Sequence, residues 1–347
     1  MTTSSQVEIK RNNCRTDLSK PEYQPTRRLS RRDEPNSRST NVQSASRRFC
    51  GSALRLQSRL SFCRRYCSMM VGQPLTSFPE LDFVLRDHED RLRQALGDLI
   101  VAVYLQGSLA IGDFDLTSDV DFIVVTQREL SSGEATIAQA VHAETYRQNN
   151  RWAKRLEYSF FPVDLLRSPS SPFTTEGVAD SASRDLWYFD NGSERIERSD
   201  HDNSLVVRWT LREKGVVLFG PEPSELIEIV QPKDLRTEIQ RTLVTWGDLV
   251  LKDPEPYRNR FYQSFLVLNY CRGLLDLSEG SIHSKMAGVK WARANLDPKW
   301  TPLITFCWEE RQDPDISITQ PADVEVFGQT IAFVHHSVGR MRSYQGD

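Results

Sequence analysis

Apolar positions along this chain follow three successive rhythms, and each predicts a different element. Leu81, Val84, Leu85, His88, Leu92, Leu96 and Ile100 mark one face of a helix of about four turns beginning near Pro79. The apolar run Ile100–Leu105 then ends at a Gly-Ser turn, and after a loop Val120–Val125 reads as a buried β-branched strand. Over Arg155–Leu165 the rhythm is twofold, Leu156, Tyr158 and Phe160 alternating with Glu157 and Ser159, which predicts a third strand. Between Pro169 and Asn203 the chain is rich in Ser, Asp and Gly, the pattern of a long connection lying near the functional site. From about Ser204 the period is helical. The spacing predicts helices over Leu205–Glu213, Lys233–Leu251, Asn259–Leu277, Ser284–Asn295, Thr301–Glu310 and Ala322–Gln345, with Val216–Pro221 as a short bend. Gly220-Pro221 and Asp253-Pro254 supply stops, because proline cannot continue a helix and restrains the residue before it. The expected fold is an α/β domain with a small mixed sheet, followed by an all-α domain.

Charge divides the chain at nearly the same place as the rhythm begins. The net charge is −3 over 347 residues, yet Met1–Met70 alone carries 15 basic and 5 acidic side chains, so the body is acidic by about −13. The segment before residue 76 has few aliphatic residues and cannot offset its ordering entropy, so 1–75 is expected as a disordered basic tail. Residues 76–203 and 204–347 are then the α/β and helical domains. Arg47–Cys67 is acid-free and similar to an organelle transit segment, although such segments start at the first residue; with Met69 and Met70 just ahead of the folded part, an over-extended reading frame explains it equally well. The lack of any apolar window of about eighteen residues argues against a membrane span, and a soluble, cytoplasmic monomer without nucleic-acid or membrane partners is expected. Of six cysteines, Cys14, Cys50, Cys63 and Cys67 fall in the tail, Cys271 and Cys307 in the body, and no CxxC pair points to zinc or a disulfide framework. The two body cysteines read as small buried hydrophobes.

Candidate chemistry gathers in Tyr104–Val125. Gly107-Ser108 follows one apolar strand, and ten residues later Asp119-Val120-Asp121-Phe122 opens the next. Glycine lets a backbone approach a phosphate closely, and the neighbouring N–H and hydroxyl can donate to it. Strand alternation turns Asp119 and Asp121 the same way, with Val120 and Phe122 toward the core. Two like charges that close repel unless a divalent cation joins them. A carboxylate pair holding Mg²⁺ beside a phosphate seat suits in-line transfer at the α-phosphorus of ATP. Asp113 and Asp115 in the intervening loop read as turn formers. Glu157, on the polar face of the third strand, is the candidate general base or additional cation ligand, with Asp164 in reserve.

The order LQGS, then SDVDFIVV, resembles the signature of the DNA-polymerase-β-like nucleotidyltransferase superfamily, in which a residue such as Ser118 lies near metal and phosphates. The surroundings of Glu157 look like the aminoglycoside adenylyltransferases related to streptomycin 3″- and spectinomycin 9-adenylyltransferases, where the corresponding glutamate is the catalytic base. LREKGVVLFGP at Leu211–Pro221 is similar to that family's interdomain linker, and VLNYCRGLLDLSEGSIHSKMAGVKWA resembles its helix, turn and lysine-bearing second helix. By this resemblance Arg272 and Lys285 reach the nucleotide phosphates, and the acceptor is the hydroxyl of an aminoglycoside-like small molecule. The likeness spans roughly Pro79–Arg342 and is loosest over Ser181–Asp202, so it carries fold and chemistry further than acceptor. His283 and the pair His335-His336 lack ligand spacing and read as surface or helix-end residues. Trp187, Tyr188 and Trp209 could stack an acceptor or pack the core. No P-loop or dinucleotide glycine fingerprint is present. Two alternatives stand beside small-molecule adenylylation: transfer to a protein or RNA, and a binding module of the same fold without turnover.

Overall fold

The computed structural model describes residues 74–167, 185–313 and 315–345. The expected tail up to residue 73, with its four cysteines, and residues 169–184 of the long connection lie outside them. Helix α1 (Pro79–Leu96) starts on a proline whose missing N–H costs nothing at that position, carries Glu80 and Asp82 in its first turn, and buries Leu81, Val84, Leu85, His88 and Leu92. Strand β1 (Ile100–Leu105) leads into a single helical turn, α2 (Gly107–Ala110), where the sequence predicts a plain turn. Then come β2 (Val120–Thr126), α3 (Ser132–Tyr146), β3 (Leu156–Pro162) and α4 (Val163–Arg167). Helix α3, which the apolar rhythm leaves unassigned, begins with a reciprocal capping box between Ser131 and Glu134.

Two expectations are corrected here. The connection ending at Asn203 contains a hairpin, β4 (Leu186–Phe189) and β5 (Ile196–Ser199), whose four-residue strands are too short to show a period amid polar turn residues. After α5 (Leu205–Lys214), the segment expected as a bend is strand β6 (Val216–Phe219), which pairs with β1. Gly220-Pro221 ends a strand there rather than marking a bend between helices, so the half after Ser204 is not purely helical. The sheet order is β5-β4-β3-β2-β1-β6. β2 and β3 run parallel, connected through α3, and the other neighbouring pairs are antiparallel.

Both faces of the central strands are covered, which is why β2 reads as continuously apolar rather than alternating. Val120, Phe122, Val124, Tyr158 and Phe160 pack under α1 and α3; Tyr104, Ile123, Val125 and Phe161 pack on the opposite face against Leu166, Leu211 and Ile227. On that second face the pattern breaks at the leading ends of β2 and β3, where Asp121 and Glu157 replace apolar residues.

After α6 (Pro223–Leu226), the helices α7 (Pro232–Lys252), α8 (Arg260–Glu279), α9 (Lys285–Asn295), α10 (Thr301–Glu310) and α11 (Val324–Arg342) form the C-terminal bundle. Helix α8 is its axis, buried nearly all round, with Leu266, Val267, Tyr270 and Leu274 meeting Leu235, Val289, Leu303 and Phe333. Cys271 and Cys307 are free and buried in this core, and Trp209 packs against it. Helix α5 joins the two halves: Leu211 sits on the sheet while Leu205 enters the bundle core. Its Arg208, fully buried, donates to Leu165 O, Ser204 O and Asn203 Oδ1, and Glu238 of α7 accepts the Leu205 and Val206 N–H groups at its start. A helix end capped from one domain and riveted to the other fixes their relative placement. Among the described residues no helix is long and apolar enough to cross a membrane.

Candidate active site

Strand β1 delivers the Gly-Ser bend to the leading end of β2. The Gln106 N–H donates to Asp121 O at 2.9 Å, so the ladder continues up to the bend. Gly107 then takes φ +55°, and a Cβ on it would fall 2.1 Å from Asp121 Oδ2. Only glycine permits both that dihedral and that approach. The Asp121 carboxylate therefore rests directly against the bend. In the parallel register of β2 and β3, Asp121 stands opposite Glu157, which brings two carboxylates side by side. Asp119, one residue before the strand, accepts from the side chain of Asn191 in the β4–β5 turn. Behind them Asp202 is buried and accepts from Ser159 Oγ at 2.6 Å and Gln106 Nε2 at 3.0 Å.

This crowding sets the protonation of the group. Burial first, then Glu157, raises Asp119 to about 6. Burial, then Glu157 and Asp119, holds Asp121 well above the ordinary carboxylate range. Glu157 is different. Burial would raise it, but His201 Nε2 at 3.1 Å, the Tyr188 hydroxyl at 2.8 Å and the Asn191 backbone together hold it below its ordinary value. Its partner His201 is raised in turn: burial opposes the charge, and the hydrogen bond to Glu157 and the field of Asp202 outweigh it. Glu157 is thus kept ionised by its donors and Asp202 is raised by burial, while Asp119 and Asp121 are raised by burial and neighbouring carboxylates that Lys285 and His201 only partly offset.

Those two make a donor set suited to a hard divalent cation, which relieves the repulsion that raises them. Among the described residues no group of three or more His, Cys, Asp or Glu side chains is arranged to hold a metal ion. A cation on Asp119 and Asp121 would complete its shell from substrate oxygens and water, as Mg²⁺ does with phosphates.

The helical bundle brings positive charge to the same place. Lys285 is the first residue of α9, whose N-cap Ser284 accepts the Ala287 N–H. Burial, then Arg272 and Arg311, lowers its ammonium to about 8, while Asp119 and Asp121 act the other way. Lys285 and the aspartate pair therefore share one electrostatic environment. Gly288 lets α9 close on α8, since a Cβ there would come within 2.6 Å of the Arg272 backbone. Arg272 Nη2 donates to Asn269 Oδ1 at 2.9 Å.

The structure brings Gly107, Asp119, Asp121, Glu157 and Lys285 together, with Ser108 in the first turn after the bend and Arg272 behind Lys285. Ser118, directly before Asp119, has its hydroxyl tied to Asp115, closing the turn that also takes Thr117. Asp164 lies past the far end of β3, roughly 20 Å along the strand direction from Glu157. Of the three aromatic candidates Tyr188 reaches the site, whereas Trp187 donates to Leu130 O. His283 is bound by Asp276 and Glu279. Asn191, His201, Asp202 and Arg311 escaped sequence reasoning. Only the alternation around Tyr188 hints at the first of these, since a strand face leading into an Asp-Asn-Gly turn points at whatever its neighbour strand presents.

Comparison with known proteins bears on the fold and its two parts. Residues 85–176 match the model of a nucleotidyltransferase domain, and residues 225–331 match that of the aminoglycoside adenylyltransferase C-terminal domain. Spectinomycin 9-adenylyltransferases from two strains of Staphylococcus aureus are 25% identical over 222 residues, covering 61% of this chain and 78% of theirs. A spectinomycin adenyltransferase from Enterococcus faecialis, solved with ATP and spectinomycin, superposes with a TM-score of 0.55 at 14% identity, covering 75% of this chain and 99% of that one. That likeness supports the two-domain fold.

Proposed function

We propose, from the premise that this chain is an aminoglycoside-adenylyltransferase-like nucleotidyltransferase, that it moves AMP from ATP to a hydroxyl of an aminoglycoside-like acceptor in a Mg²⁺-dependent reaction. Residues 76–203 together with strand β6 would form the catalytic domain and the rest of 204–347 the helical one, acting as a cytoplasmic monomer. Spectinomycin is the first acceptor to test, because it is named for the relatives in both sequence and structure.

The observation that carries the reading is Asp121 pressed against the Gly107 bend, in register with Glu157 and sharing its field with Lys285. Asp119 and Asp121 would hold the cation, which when bound would offset the charge developing at the α-phosphorus. The Gly107-Ser108 backbone seats phosphate oxygens, and Lys285 with Arg272 balances charge that the cation leaves. Glu157, anionic because His201 and Tyr188 donate to it, takes the proton of the attacking hydroxyl. One O–P bond forms, the bond to pyrophosphate breaks, and the proton rests on Glu157.

Incubation of the protein with Mg²⁺, α-labelled ATP and spectinomycin, streptomycin and other aminoglycosides tests this. Labelled antibiotic with pyrophosphate release is the expected result. Label on a macromolecule instead would point to a protein or RNA acceptor, and nucleotide binding without release to a module lacking turnover. A second expectation concerns the bend. Gly107→Ala forces a Cβ onto φ +55° and into Asp121, so transfer should fall at least tenfold in a protein that still shows the wild-type circular dichroism spectrum. Left-handed backbone costs a non-glycine residue about 1–2 kcal/mol, too little to unfold the chain.

A further inference from the structure

The loop between the bend and Asp119 grips the helical bundle by two acidic side chains. Asp115 Oδ1 closes the local turn through Thr117 and Ser118, while Oδ2 accepts from Arg311 Nη1. Asp113 Oδ2 accepts the Met286 N–H at 3.3 Å, at the N-terminus of α9. Arg311 caps the C-terminus of α10 and is largely buried beside Trp308. It therefore stands beside the turn that sets Asp119, on the same side as Lys285.

Arg311 is largely buried, and its partner Asp115 stands four residues before Asp119. Helix α5 and Glu238 join the two domains independently of this ion pair. A nucleotide triphosphate bearing about four negative charges must enter a site that already holds Asp119, Asp121 and Glu157, opposed by Lys285, Arg272 and one divalent ion. We propose that Arg311 is a third phosphate-binding cation, and that Asp115 is its counter-ion only until nucleotide arrives, when the guanidinium exchanges the carboxylate for phosphate oxygens. Asp113, facing the start of α9, serves alike: a carboxylate accepting the first-turn N–H of Met286 occupies a position suited to a phosphate. Lys285 responds to Arg311 as it does to Arg272, being lowered by both, consistent with three cations in one cluster.

This inference rests on the reading of the site as an ATP site, and binding measured without acceptor separates the two. Titration calorimetry with Mg²⁺ and a non-hydrolysable ATP analogue is the experiment. Arg311→Gln should weaken binding about tenfold or more, and Arg311→Lys should recover part of the loss. Asp115→Asn keeps the Oδ1 acceptor that closes the turn but removes the competing charge, so binding should be unchanged or tighter. Equal weakening in Arg311→Gln and Asp115→Asn would make the pair a structural strut and overturn the proposal, as would unaltered binding in Arg311→Gln. Melting temperatures and circular dichroism of each variant identify loss of fold, and in that event Arg311→Lys and Asp115→Asn alone decide between exchange and strut. Wild-type protein that binds no analogue would overturn the ATP reading itself.

Discussion

Asp121→Asn should lower AMP transfer by roughly 10³-fold or more, the scale of losing a group that neutralises transition-state charge, while the protein without metal melts several degrees higher than wild type. The second half follows from the electrostatics. Burial and the charges of Glu157 and Asp119 hold Asp121 above its ordinary range, so ionised Asp121 destabilises the fold and a neutral isostere relieves it. Removing one such charge contributes on the order of 1–3 kcal/mol, or a few degrees in a chain of this size. The sign depends on pH in a defined way. A carboxyl whose folded pKa is raised binds its proton more tightly in the native state, so its penalty is present at neutral pH, shrinks as pH falls through the folded pKa, and vanishes below the unfolded value. The difference in melting temperature between variant and wild type should therefore be largest above pH 7 and close to zero near pH 4. Comparing the variant with wild type at each pH also removes the separate effect of His88 and His142. Burial lowers both, so they weaken the fold as pH falls in either protein. Added Mg²⁺ should raise the melting temperature of wild type and leave the variant unmoved. A variant that melts lower than wild type at pH 7.5, or that keeps the Mg²⁺ response, would sink the assignment of Asp121 as a repelled cation ligand.

How much of this was legible in the sequence depends on how far apart the partners lie. Asp119 and Asp121 could be read because strand alternation is local: once Val120 and Phe122 are assigned inward, their neighbours are oriented. Glu157 needed one further step, the assumption that its strand lies beside β2, and the parallel register supplies it. Bundle helices were legible nearly to their ends, since Thr301–Glu310 spans the predicted residues and Ser284–Asn295 begins one residue late. β6 was not legible, because four apolar residues before Gly-Pro satisfy a bend as well as an edge strand, and only the free edge of β1 decides. His201, Asn191 and Asp202 were hidden for another reason. They lie 34 to 45 residues beyond Glu157 in a stretch whose composition signals only a loop, and their contacts depend on a hairpin fold-back without periodic trace. Arg311 is the extreme case, nearly two hundred residues from Asp115. Chemistry carried by adjacent residues survives in the sequence, whereas chemistry assembled by topology has to be seen.

Glu157→Gln is expected to reduce kcat by roughly 10²–10⁴-fold, the usual worth of a general base, with the ATP KM and the Mg²⁺ half-saturation within about threefold of wild type. The amide keeps an oxygen that accepts from the Tyr188 hydroxyl and His201, so the β3–β4 contacts survive. What disappears is one negative charge, and its neighbours report that directly. After burial, Glu157 is the largest cause of the raised Asp119 and Asp121. Both should move down in the variant, which titration of the metal-free protein reads. His201, raised by its bond to Glu157 and by Asp202, should fall toward the ordinary imidazole range, a change that NMR titration of its ring reads without any turnover. A cation-ligating Glu157 predicts otherwise: the substitution would raise the Mg²⁺ requirement steeply, and saturating metal would restore much of the rate. Proton acceptance is supported if kcat stays low at every Mg²⁺ concentration while His201 titrates lower, because the site then binds its substrates and lacks only somewhere for the hydroxyl proton to go.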